Sequence, residues 1–141
     1  MCWDFLGRYR DGGLLFLRIG LGLMFILHGW GKLMGGPLLW QKLGAAIGNF
    51  GITFYPHFFG FLAAITETLG GVCLILGILF RPACFFLMIV MIVATTMHLK
   101  SGDGLQGASH AIEMGIVFLS LMFIGPGAYS LGEKIRSRRK T

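Results

Sequence analysis

Four apolar runs set the pattern of this chain, at about 14–33, 58–80, 83–99 and 109–124, with short polar or glycine-containing breaks between them. At 1.5 Å of rise per residue each is long enough to cross, or nearly cross, the hydrocarbon core of a bilayer as a helix. The first run is too long for a signal-peptide core and has no small-x-small cleavage site, so it is expected to stay as the first span. The break after it contains Gly35-Gly36-Pro37, followed over 38–50 by a mixed segment with Trp40, Gln41 and Lys42. That segment is too short to span, and it predicts a short interfacial helix that lies on the membrane or folds over the bundle as a lid. Phe80-Arg81-Pro82 predicts a tight turn between the second and third runs, with the proline starting the next helix. The pattern as a whole predicts an all-α integral membrane protein, a bundle of four transmembrane helices in one domain over 1–141 with a basic tail over 132–141.

The second run organises the rest because it carries one ionisable residue, Glu67, near its middle. Residues three, four and seven positions from Glu67 are Gly60, Ala63, Ala64, Gly70, Gly71 and Leu74, and the opposite face carries Leu62, Ile65, Leu69 and Val72. The small face is where another helix approaches closely, so Glu67 is expected to point into the bundle rather than at lipid.

Composition sharpens this picture. With 55% hydrophobic and 13% charged residues, the chain is too apolar for an ordinary soluble domain, and its 23 glycines suit helices packed closely inside lipid. The net charge of +6 does not point to nucleic acid, because the basic residues gather near the chain ends without interleaved aromatics. Four spans put both termini on one side. On that side fall Arg8, Arg10, Arg18, Arg81, Lys134, Arg136, Arg138, Arg139 and Lys140, against Lys32, Lys42 and Lys100 on the other. Nine against three predicts cytoplasmic termini, with the tail as a solvated or lipid-binding anchor. Cys2, Cys73 and Cys84 form no C-x-x-C pair and no disulfide framework, so they are expected to be buried or membrane-proximal thiols.

The candidate chemistry gathers in the outer half of the bundle. His28 and Lys32 end the first span four residues apart, His98 ends the third beside Met91, Ala94 and Thr95, and His110 and Glu113 begin the fourth, with Ser120 further along the same face. With Glu67, six ionisable groups from four helices are expected to converge, and Lys32 or His28 is expected to pair with Glu67. Glu67, His28 and His98 are the candidate catalytic residues, and Lys32, His110 and Glu113 complete a candidate ligand site; a satisfied network that only fixes helix register is the structural alternative. Histidines and a buried acid beside an apolar cavity suit a lipophilic quinone, by hydrogen-bonding its carbonyls and moving protons. Two histidines and two carboxylates also suit a metal, and His28 with His98 a haem iron. However, the fourth span reads His-x-x-Glu rather than Glu-x-x-His and Lys32 is no metal ligand, so no metal is expected. A proton-coupled transporter would use the same groups, without the inverted repeat such proteins carry.

The ordered residues Leu17-Arg18 through His28-Gly-x-Gly-Lys32, then Glu67-x-x-Gly-Gly, Leu76-Gly-x-x-x-Arg81, Met91-x-x-Ala94 with His98, Glu113, and Gly125-Pro-Gly-x-Tyr-Ser-Leu131 resemble the DoxX family of small four-span bacterial membrane proteins. The resemblance extends over most of the chain, from Leu14 to Leu131. It departs from the family after the Ser-Leu pair, where members commonly carry Asp and this chain has Gly132. The resemblance implies a multi-pass protein of the bacterial inner membrane, similar to membrane subunits of a thiosulfate:quinone oxidoreductase or to membrane partners of redox and detoxifying enzymes. It therefore implies membrane lipid, a redox partner protein and a homo-oligomer as associations, and quinone as the ligand. Distant relatives that assist assembly of other membrane proteins imply a non-enzymatic anchor or assembly factor as the alternative.

Overall fold

In the computed structural model, which describes residues 4–138, six α-helices follow in order: α1 (Arg10–Met34), α2 (Gly36–Gly44), α3 (Pro56–Leu76), α4 (Phe80–Lys100), α5 (Gly104–Ile124) and α6 (Leu131–Arg138). Turns of 3-10 helix cover Asp4–Tyr9 and Ala45–Phe50. Helices α1, α3, α4 and α5 are each long and apolar enough to cross a membrane, so the all-α membrane fold is the one the hydrophobic pattern predicts. α3 sits between α1 and α4, and α5 packs on α4. Cys2, Arg139 and Lys140 lie outside the described residues.

Several boundaries differ from the apolar runs, for local reasons. α3 ends at Leu76, although the apolar run continues to Phe80, because Gly77 takes up the left-handed conformation (φ 66°) that caps a helix. Its N–H donates to the carbonyls of Cys73 at 2.8 Å and Leu74 at 3.3 Å. The turn is therefore 77–79, and Phe80 and Arg81 already belong to α4, with Pro82 in its first turn. α5 starts at Gly104 rather than near Ser109, which shortens the loop before it. The basic tail is helical as far as Arg138, with the buried Ser130 hydroxyl accepting the Glu133 N–H at 3.1 Å in the manner of an N-cap.

The mixed segment after α1 folds against the bundle. Trp40 of α2 stacks on Phe61 with ring centres 4.9 Å apart and donates its indole N–H to the Lys32 carbonyl at 2.9 Å. At the end of the following 3-10 turn, Asn49 donates its amide to Thr96 of α4 at 3.3 Å.

The α1–α3 seam is built from small residues. A Cβ on Gly22 would stand 2.6 Å from the Gly71 carbonyl, and a Cβ on Gly71 the same distance from the Gly22 carbonyl, so these backbones touch. One helical repeat further, Gly29 sits against Thr68 and Ala64. The face expected to be inward is buried at Gly60, Ala64, Glu67, Gly70, Gly71 and Leu74, while Leu62, Leu69 and Val72 are exposed. From this same inward face, Leu74 joins Phe25, Leu87, Met91, Phe118 and Leu121 in a common apolar core, which also holds Cys84. Cys73 and Cys84 are free thiols.

Arg18, counted in the sequence among the basic residues on the side of the termini, is fully buried, 1% exposed. Its Nε donates to the Leu74 carbonyl at 2.9 Å, Nη2 to Ile75 at 2.7 Å, and Nη1 to Pro126 at 2.8 Å and Tyr129 at 3.4 Å. The guanidinium thus caps the C-terminus of α3, where the helix dipole is negative, adding to the Gly77 N–H on Leu74 and supplying a donor to Ile75, and it ties down the segment after α5. That segment is also held by Asp11, whose carboxylate accepts the Ala128 N–H at 3.0 Å. Arg18→Met strands these carbonyls in an apolar setting and is expected to cost about 3 to 5 kcal/mol. Arg18→Lys, with no planar fork, should restore less than half of that, measured as thermal unfolding in detergent.

Candidate functional site

Four helices place polar side chains around one cavity of about 200 Å³. α1 contributes His28 and Lys32, α3 Glu67, α4 His98 and α5 His110, with Phe25, Met91, Ala94 and Ala111 as apolar wall. The spacing on α1 explains its share, since Phe25, His28 and Lys32 fall on one face at steps of three and four. Phe25 is buried and lies edge-on to Phe118 of α5, with ring centres 4.9 Å apart. Beside it the His28 and His110 rings meet edge-on, with ring centres 6.3 Å apart.

Glu67 is 1% exposed, and its Oε1 lies 2.6 Å from Lys32 Nζ, so of the two expected partners the lysine is the one that pairs. The lysine remains 30% exposed and reaches in along the seam that the glycines keep narrow. Charge-assisted bonds of this length are strong, and they depend on both partners being present. Glu67 Oε2 has no partner, and among the described residues it is the buried side-chain oxygen or nitrogen left unsatisfied.

Glu113, Ser120 and Thr95 do not line the cavity, and one contributor, Asp103, was not foreseen. Glu113 is exposed. Ala111 faces the core, and two residues further on lies roughly 200° around the helix, which turns Glu113 outward. Ser120 and Thr95 bond back to their own helices, to Ile116 at 2.9 Å and Met91 at 2.8 Å. His98 lines the cavity, but its Nδ1 also lies 2.8 Å from the Asp103 carboxylate in the loop before α5. A carboxylate on one ring nitrogen fixes the imidazole's orientation and leaves the other nitrogen for the cavity. The available signal was the acid five residues after a helix-terminal histidine, in a glycine-flanked loop.

A second cavity, of about 150 Å³, adjoins the first. It is lined mainly by apolar side chains of the 3-10 turn, α3 and α4, among them Ile47, Leu62, Ile89 and Val93, and shares Lys32 and Ala94 with the polar one. An apolar cavity of about 150 Å³ accommodates a benzene ring, so the polar cavity has room for a substituted six-membered ring. Among the described residues no three His, Cys, Asp or Glu side chains come together as a metal site.

The Lys32–Glu67 pair generates a direct test. Glu67→Gln or Lys32→Met alone should lower stability by about 3 to 5 kcal/mol, and the double variant by much less than the sum. Thermal melts of the three variants check this; strictly additive losses would show the two groups to be uncoupled.

The family model DoxX matches residues 13–99, which include Arg18, the whole α1–α3 seam, Lys32, Glu67 and His98. An uncharacterized protein of Haemophilus influenzae is 33% identical over 135 residues, covering 92% of this chain and 95% of its own. Inner membrane protein YqjF of Escherichia coli is 28% identical over 134 residues, covering 93% and 98%. No solved structure matches the chain. A match over three of the four membrane-length helices, with relatives aligned almost end to end, makes this chain a member of the DoxX family.

Proposed function

We propose that the chain is a redox-associated membrane subunit that binds a lipophilic quinone-like molecule in the polar cavity. The observation that carries this reading is the convergence of the Lys32–Glu67 pair and three histidines, from four helices, on a ring-sized space with an apolar groove beside it. Lys32 and the histidines donate hydrogen bonds to ring oxygens, and the histidines and Glu67 exchange protons as those oxygens change state. These side chains move protons and not electrons, so a partner protein is the source or sink of electrons. Metal chemistry has less support, since Lys32 occupies the carboxylate a metal would need.

The purified protein should bind a short-tailed benzoquinone, and His28→Ala or His98→Ala should weaken binding at least fivefold, read by calorimetry in detergent. Unchanged affinity in both variants, together with recovery of a partner at fixed stoichiometry that is lost when this chain is deleted, would favour an assembly factor instead.

We place the site in the inner membrane, where the Escherichia coli relative YqjF is named as residing, and infer from the charge asymmetry that both termini are cytoplasmic. With Arg18 removed from the count, eight basic residues still stand against three, and Lys32 is itself committed to Glu67. A reporter fused after Thr141 should be active only inside the cell; activity only outside would invert the topology.

A further inference from the structure

We infer that the cavity selects the reduced, hydroxyl-bearing form of its ring ligand, a hydroquinone rather than a quinone, and that the selecting atom is Glu67 Oε2. This rests on the ring-binding reading above. Oε1 is taken by Lys32 at 2.6 Å, whereas Oε2 is buried and has no hydrogen-bond partner. A carboxylate paired with an ammonium can only accept hydrogen bonds, and a buried acceptor left unmet is costly. The protein does not supply the missing donor. Lys32 is engaged on Oε1 and His98 Nδ1 on Asp103, and among the described residues no side chain, the His28 and His110 rings included, donates to Oε2. The complement to Oε2 is therefore a donor carried by the occupant.

The two oxidation states of such a ring differ in this respect. A quinone presents two carbonyl oxygens, which only accept, so its oxygen would face another acceptor at Oε2. A hydroquinone presents two hydroxyls, one of which donates to Oε2 while the other meets a histidine. The imidazoles do not discriminate, because a neutral ring both donates and accepts. Reduction of the ring consumes two electrons and two protons, so tighter binding of the reduced form raises the midpoint potential of the bound couple, by about 30 mV for each tenfold preference. The site thereby draws the couple toward hydroquinone, which suits a subunit that takes electrons from a partner and hands on the reduced carrier.

The test uses the full chain in lipid nanodiscs, with trimethyl-1,4-benzoquinone and trimethylhydroquinone titrated separately without oxygen. The wild-type chain should bind the hydroquinone at least tenfold more tightly, and the bound couple should titrate about 30 mV or more above the free one. In Glu67→Gln, Lys32 holds the amide oxygen and the amide N–H₂ takes the place of Oε2, a donor in place of an acceptor. The preference should then fall below twofold or invert. Because the ratio is read on one protein sample, a general loss of affinity does not disguise it. The Lys32→Met/Glu67→Gln double variant, which leaves no charge unpaired, should lose the preference too. Equal or quinone-favouring affinities in the wild type, or a hydroquinone preference that survives Glu67→Gln, would overturn the inference. If His28→Ala weakens both rings while their ratio stays near one, ring binding stands and the selection by Glu67 falls. If neither ring binds, the ring reading fails and takes this inference with it.

Discussion

The close approach of α1 to α3 is the constraint on which the rest of the structure depends. Gly22 and Gly71 bring the two backbones into contact, and Gly29 extends the contact beneath Thr68. In lipid there is little hydrophobic drive between helices, so association relies on this kind of close packing and on hydrogen bonds across the seam. The bonds here come in two sets. Toward one end Arg18 of α1 reaches the last carbonyls of α3, and toward the other Glu67 of α3 reaches Lys32 of α1. Leu74 and Glu67 are seven residues, or about 10 Å, apart on α3, so the two charged contacts fix both the register and the rotation of one helix against the other.

The two contacts differ in kind. Arg18 gives all its reach to backbone carbonyls, which carry no net charge to exchange, and Gly77 and Gly132 leave it no room to move. A Cβ on Gly77 would meet Arg18 Nη2 at 2.6 Å, and one on Gly132 would meet the Gly77 carbonyl at 2.5 Å. The same crowding suits glycine at 132, where a side chain would press on the Gly77 carbonyl. Glu67 and Lys32 instead border a cavity, and Glu67 Oε2 is left without a partner. Structural rigidity lies at one end of the seam and adaptable chemistry at the other, which is how a small bundle holds a site without a large scaffold around it.

The cavity itself arises because α5 follows α4 rather than α1. The α1–α5 gap is bridged by side chains, Phe25 with Phe118 and His28 edge-on to His110, and not by backbone contact. Beside the Phe25–Phe118 contact the gap is wide enough for a ring, and the apolar groove beside Lys32 opens toward α2 and the 3-10 turn, so a lipophilic molecule has an apolar neighbour to its polar site.

The sequence by itself determined the number of spans, the inward face of α3 and the burial of Glu67. Hydrophobic length and the spacing of small residues are local properties, and they survive folding unchanged. Glycine signalled the close seam, and the acid in an apolar run signalled its own need for a partner. Only the tertiary structure decided which partner that was, because Lys32 and His28 differ by one helical turn on the same face. It also decided that Glu113 turns away, since two residues of helical rotation separate it from the buried Ala111. Arg18 was legible by the same rule as Glu67, an ion within an apolar run, yet in the sequence it counted only among the basic residues on the side of the termini. Its partners, the carbonyls of α3 and of the segment after α5, lie 56 to 111 residues away in sequence. A backbone carbonyl carries no residue-type signal, and so no reading of side chains alone could have found them.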